Sequence, residues 1–126
     1  MTRRILIVDV NATNLKLATE VLALEGHAIS QAADANEALV LLRTLQPDLV
    51  LMDIALPGMD GLELTRQLKA TDAFAGVPIV ALSAFAMKGD QEKAFAAGCD
   101  GYITKPINTR TFAAQVAAFM RDGPPA

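Results

Sequence analysis

Leu49-Val50-Leu51-Met52-Asp53 is a near-continuous apolar run that stops on a carboxylate. Ile5-Leu6-Ile7-Val8-Asp9 repeats the pattern near the start of the chain, and the run over 77–82 stops on Ser83. Such runs lack the alternation of a half-exposed strand and match parallel strands covered on both faces. Weaker runs at 27–32 and 101–104 complete a set of five, the last followed by Lys105 and Pro106. Between the runs lie segments of helical period. Over 14–25, Leu15, Ala18, Val21 and Leu22 recur at three- and four-residue spacing, and Gly26 supplies a helix stop. Asp34-Ala-Asn-Glu37 reads as an N-cap with an acid three positions on, opening a helix to about residue 45 ahead of Pro47. Asp60-Gly-Leu-Glu63 repeats that signal for a helix to about residue 70. A fourth helix fits 90–97, closed by Gly98, and a fifth starts after Asn108 and runs to about residue 121. Five strand–helix units predict an α/β fold: one doubly wound, five-stranded parallel sheet with helices on both faces.

Composition agrees. The chain has 126 residues, 52% hydrophobic and 20% charged, which excludes intrinsic disorder and leaves room for one domain. Eleven basic against fourteen acidic residues give a net charge of −3, so no global field favours nucleic acid. The only adjacent basic pair, Arg3-Arg4, reads as a solvated chain start. No apolar run approaches membrane-spanning length, and the first one reaches Asp9 after four residues, too few for a signal peptide, so a cytoplasmic location is expected. Cys99 is the single cysteine and His27 the single histidine, which excludes an internal disulfide and a Cys/His metal site. Cys99 reads as a small buried hydrophobe.

In open parallel sheets the functional crevice lies beyond the carboxyl ends of the strands. Asp9, Asp53, Ser83 and Lys105 all stand there, after the first, third, fourth and fifth runs. Singly each has an ordinary reading as a turn, cap or surface residue. Together they place two carboxylates, a hydroxyl and an ammonium in one crevice. Paired carboxylates suit Mg²⁺, a carboxylate can accept a phosphoryl group, and an ammonium and a hydroxyl can hold phosphoryl oxygens.

The blocks 5–9, 47–61 (Pro-Asp-Leu-Val-Leu-Met-Asp-Ile-Ala-Leu-Pro-Gly-Met-Asp-Gly), 80–84 (Val-Ala-Leu-Ser-Ala) and 101–106 (Gly-Tyr-Ile-Thr-Lys-Pro) resemble the receiver domain of two-component response regulators. The resemblance spans essentially the whole chain. The block 83–90 is similar to single-domain cell-division regulators of that family and to hybrid-kinase receivers. The resemblance implies a flavodoxin-like strand order of 2-1-3-4-5, with a receiver domain over 1–121 and a frayed tail over 122–126. It implies that Asp53 is the phosphoacceptor, fed by a histidine kinase or a histidine phosphotransfer protein. Asp9, Asp53 and the backbone carbonyl of Ala55 would hold Mg²⁺. Lys105 would pair with the phosphoryl group, its bond to Pro106 cis. Ser83 and Tyr102 would be the switch residues, reshaping the face of helix 4, strand 5 and helix 5 for a downstream protein target. The resemblance further implies a regulator that is not itself an enzyme, with no effector domain expected after residue 121, no nucleic-acid or membrane partner, and homodimerisation left open.

One position departs from the family pattern. Receivers usually carry an acidic pair after the first strand, and here Asp9 is followed by Val10. Valine offers no oxygen, so Mg²⁺ binding should be weakened. A degenerate receiver, acting as a constitutive binding or dimerisation module, is therefore the alternative. An aspartate-nucleophile phosphatase is disfavoured because Asn11 stands where its second acid would be. A dinucleotide-binding protein is disfavoured because Asp9-Val-Asn-Ala-Thr-Asn14 contains no glycine.

Overall fold

The computed structural model describes residues 3–54, 61–83, 88–105 and 107–120. Strands and helices alternate as β1 (Arg4–Val8), α1 (Ala12–Leu24), β2 (Ala28–Ala32), α2 (Ala35–Leu42), β3 (Leu49–Asp53), α3 (Gly61–Lys69), β4 (Ile79–Ser83), α4 (Lys88–Ala97), β5 (Gly101–Thr104) and α5 (Phe112–Met120). The sheet is parallel throughout, in the order β2-β1-β3-β4-β5. The expected fold class and strand order both hold.

Alternate residues of the central strands feed two separate apolar layers, as the period-2 geometry of a strand requires. Leu6, Val8, Val50, Met52, Ile79 and Ala81 pack with residues of α2, α3 and α4. Ile5, Ile7, Leu49, Leu51, Val80 and Leu82 pack with residues of α1 and α5. Strands covered on both faces have no solvent side to carry polar residues, hence the unbroken apolar runs.

Local caps and turns account for three shifted boundaries, in α1, α2 and α5, and α4 begins at Lys88 where residue 90 was expected. α1 starts at Ala12, two residues before the expected start, because the Asn11 side chain accepts the Asn14 N–H at 3.0 Å. It ends as expected at Gly26, whose φ of +89° suits glycine. There the Gly26 N–H donates to Ala23 O and the His27 N–H to Leu22 O, the paired bonds of a Schellman stop. α2 opens on Asp34, which accepts the Glu37 N–H, while Glu37 accepts the Ala33 N–H. Its regular part closes at Leu42, with single turns carrying the chain to Leu45. Asn108 caps a preliminary turn through the Arg110 N–H, so α5 proper begins only at Phe112. The expected cap at Asp60 and the frayed tail over 122–126 lie outside the described residues.

The end of the sheet opposite the strand carboxyl ends is held by Lys69, a half-buried lysine. Lys69 Nζ donates to Val77 O at 2.8 Å and pairs with Asp100 Oδ2 at 2.7 Å, and Asp100 Oδ2 also accepts the Ile79 N–H. These contacts join α3 to the entries of β4 and β5. No helix among the described residues is long and apolar enough to cross a membrane.

Phe112 is fully buried in the α1–α5 layer, whereas Leu24 is solvent-exposed. Phe112→Ala is expected to cost about 3–5 kcal/mol, and Leu24→Ala to stay within about 0.5 kcal/mol, in urea unfolding followed by circular dichroism.

Candidate functional site

Register brings the polar strand ends together. Val8 of β1 lies beside Met52 of β3, so the next residues, Asp9 and Asp53, are neighbours. Asp53 in turn lies beside Leu82 of β4, and Ser83 beside Thr104 of β5. The Lys105 N–H then donates to Ser83 O at 2.7 Å, extending the ladder one step and aiming the lysine into the crevice.

The Lys105 ammonium lies 2.9 Å from Asp9 Oδ2 and 3.3 Å from Asp53 Oδ2. Asp9 is 0% exposed and Asp53 4%, so the cluster is a buried carboxylate pair bridged by one cation. Ser83 is also buried at the end of β4. Asp9 Oδ1 accepts the Asn11 N–H at 2.9 Å, which fixes the carboxyl plane. Asn11 was missed as a site residue in the sequence. The contact is made by its backbone N–H, which any residue but proline supplies, so the residue type carried no signal for it.

Burial raises the Asp9 carboxyl above its ordinary pKa. The Asn11 N–H and the Lys105 ammonium pull it down without cancelling the rise, and the Asp53 charge adds to it. Cys99 is buried, its thiol likewise pushed up by burial, with Sγ 4.0 Å from the Thr65 hydroxyl. It is a packed core residue.

Tyr102 is half-buried in the middle of β5 and packs against the α2–α4 layer. Val10 is 52% exposed beside the crevice. Ala55, Pro106 and the Lys105–Pro106 bond lie outside the described residues, as do residues 84–87 of the 83–90 block.

The sequence profile of the response regulator receiver domain matches residues 5–117. The chain belongs to the response regulator receiver domain family. The receiver is 39% identical over 122 residues to the polar-differentiation response regulator DivK of Brucella ovis, a match covering 97% of this chain and 99% of that protein. The chemotaxis response regulator CheY4 of Vibrio cholerae shares the fold, with a TM-score of 0.90 at 23% identity over 94% of this chain and 99% of that one. The receiver domain of the sensor histidine kinase PA1611 from Pseudomonas aeruginosa, solved with a magnesium ion in its active-site cleft, has a TM-score of 0.86 at 30% identity, covering 95% and 98% of the two chains. Receivers are signalling modules that work with histidine kinases or phosphotransfer proteins and downstream targets, and they typically bind Mg²⁺.

The donor set of this receiver fits Mg²⁺, though sparsely. Asp9 Oδ2 is a buried oxygen that receives no well-aligned hydrogen bond, its ion pair with Lys105 aside. Asp9 and Asp53 supply hard carboxylate oxygens, and Mg²⁺ needs only one or two, with water and phosphate filling its other positions. Val10 adds none. Among the described residues no group of three or more acidic, His or Cys side chains converges.

A carboxyl whose pKa is raised in the folded state disfavours folding wherever it is ionised. That cost is absent below the unfolded value near 3.8 and complete above the raised folded value. Asp9→Asn keeps an acceptor for the Asn11 N–H. It is therefore expected to raise the unfolding temperature at pH 7, with an advantage that shrinks as the pH falls toward 3.8. Thermal unfolding of both proteins across that range checks it.

Proposed function

We propose that the receiver is a phosphorelay response regulator that accepts a phosphoryl group on Asp53 and thereby switches its protein contacts. The observation that carries this reading is the Lys105 ammonium held between the Asp9 and Asp53 carboxylates at the strand carboxyl ends. The 39% identity to DivK over nearly the full length of both chains supports the regulator class.

In the proposed step an Asp53 carboxylate oxygen bonds to phosphorus as the phosphorus–nitrogen bond of a donor phosphohistidine breaks. The electron pair goes to the imidazole nitrogen, which takes up a proton. The donor is a histidine kinase or a histidine phosphotransfer protein. Lys105, already 3.3 Å from Asp53, moves its charge onto a phosphoryl oxygen, and the Ser83 hydroxyl donates to another. Asp9, Asp53 and the Ala55 carbonyl would hold Mg²⁺, which supplies neutralisation of the phosphoryl charge. Tyr102, half-buried on β5, couples the crevice to the α4–β5–α5 face where a downstream protein docks. The receiver domain is taken to span 1–121, to act in the cytoplasm without nucleic acid or membrane, and to need no enzymatic activity toward other molecules.

Val10 favours a second reading. Its exposed side chain stands where receivers usually present an acid and offers no oxygen, so weakened Mg²⁺ binding would leave a constitutive binding or dimerisation module. The two readings differ in phosphate dependence.

Asp53→Asn is expected to abolish the acid-stable, hydroxylamine-sensitive label left by a ³²P phosphodonor, and persistent labelling would overturn the site. Lys105→Ala should be labelled yet lose the phosphate dependence of partner binding, since one charge-assisted contact is worth about 1.5–3 kcal/mol, enough to move a two-state equilibrium by one to two orders of magnitude.

Val10→Asp is expected to tighten Mg²⁺ about tenfold or more, because even substitutions one shell out cost about 10–100-fold in metal affinity. Isothermal titration of both proteins with Mg²⁺ decides it. Equal affinities would mean that position 10 does not reach the metal.

A further inference from the structure

We propose that Gly61 is a positioning residue for Asp53, held in place by Thr65, an inference that rests on the phosphoacceptor reading above. α3 begins directly over the end of β3. The Gly61 N–H donates to Ile54 O at 3.4 Å, so the chain leaves the strand at Ile54 and is back against it at Gly61. A methyl group at position 61 would overlap the carbonyl oxygen of Asp53, and would sit 2.7 Å from Ile54 Cα and 3.0 Å from the Asp53 carbonyl carbon. Every one of these atoms is backbone, so no rotamer change relieves the clash. Glycine is required here for close approach, not for an unusual φ.

The consequence falls on the reacting carboxylate. Asp53 is the last residue of β3, and its main chain is confined between the β4 ladder, where the Ile54 N–H donates to Leu82 O at 3.3 Å, and the first turn of α3. A side chain at 61 must push the Asp53 peptide, which changes the 3.3 Å relation of Asp53 to Lys105, or lift α3, which removes the turn that backs that peptide. The buried Thr65 hydroxyl donates to Gly61 O at 2.7 Å, one turn back along α3, which braces that first turn internally. A shift of about 1 Å at a reacting group can cost about 10²-fold in rate.

The test uses acetyl phosphate as phosphodonor, with the rate of Asp53 labelling and the amide ¹H–¹⁵N spectrum as readouts. Gly61→Ala is expected to be labelled about tenfold or more slowly than the parent, with amide shifts concentrated at Asp53, Ile54 and Lys105. Gly76→Ala, where an added methyl group meets nothing within 4 Å, should be labelled at the parent rate. Should Gly61→Ala not fold, Thr65→Val and Thr65→Ser decide the matter: valine keeps the shape without the hydroxyl and should slow labelling, and serine should restore it. Parent-rate labelling of Gly61→Ala, or equal rates for the two Thr65 variants when Gly61→Ala is unfolded, overturns the inference. An unlabelled parent overturns the phosphoacceptor reading and this inference with it.

Discussion

Two carboxylates buried side by side repel each other and lose their hydration, so a folded chain can keep both ionised only with a cation between them. Lys105 is that cation, 2.9 Å from Asp9 and 3.3 Å from Asp53. Its reach depends on the sheet. β5 must lie next to β4, and the Lys105 N–H must bond to Ser83 O, before the lysine can cross the crevice to β3 and β1. The two apolar layers and the Lys69 clamp at the far end of the strands hold that register. Burial still holds the Asp9 carboxyl above its ordinary pKa, so the ammonium does not fully offset the burial of Asp9. Any further positive charge near Asp9 would offset that burial.

Much of this was legible in the sequence, because parallel strands under helices leave a plain trace. Ile5–Val8 and Leu49–Met52 could be read as buried strands since neither face needs polar residues, and Asp9 and Asp53 stood out as the first departures from apolarity. The caps at Asp34 and Gly26 were legible because each acts over three or four residues of local chain. What failed was also local but less patterned. The start of α1 was read from the apolar period beginning at Leu15, whereas the cap that sets it is Asn11. α5 was placed one turn early because Asn108 does cap a turn, but not the helix.

The tertiary relations left no such trace. Nothing in the spacing of Asn11 announces that its amide fixes Asp9, and nothing near Gly61 announces that its missing side chain makes room for the Asp53 carbonyl. Both depend on α1 and α3 meeting the strand ends, and so on the assembled sheet. The Val10 departure was readable from family resemblance, but its half-exposed placement beside the crevice was not. Among the described residues the crevice holds two buried carboxylates against one ammonium, and Val10 adds no third acid.

If the Lys105-bridged crevice makes Asp53 the one carboxylate that takes a phosphoryl group, that residue alone will carry an acyl phosphate. An aspartyl phosphate is an acyl phosphate, and borohydride reduces it to homoserine, which marks the residue permanently. The direct measurement is mass spectrometry of peptides from the receiver after treatment with acetyl phosphate and Mg²⁺ and then with borohydride. The account predicts homoserine at position 53 and nowhere else. Homoserine at Asp9 or at another carboxylate, or none at all with the protein folded and Mg²⁺ in excess, would contradict it.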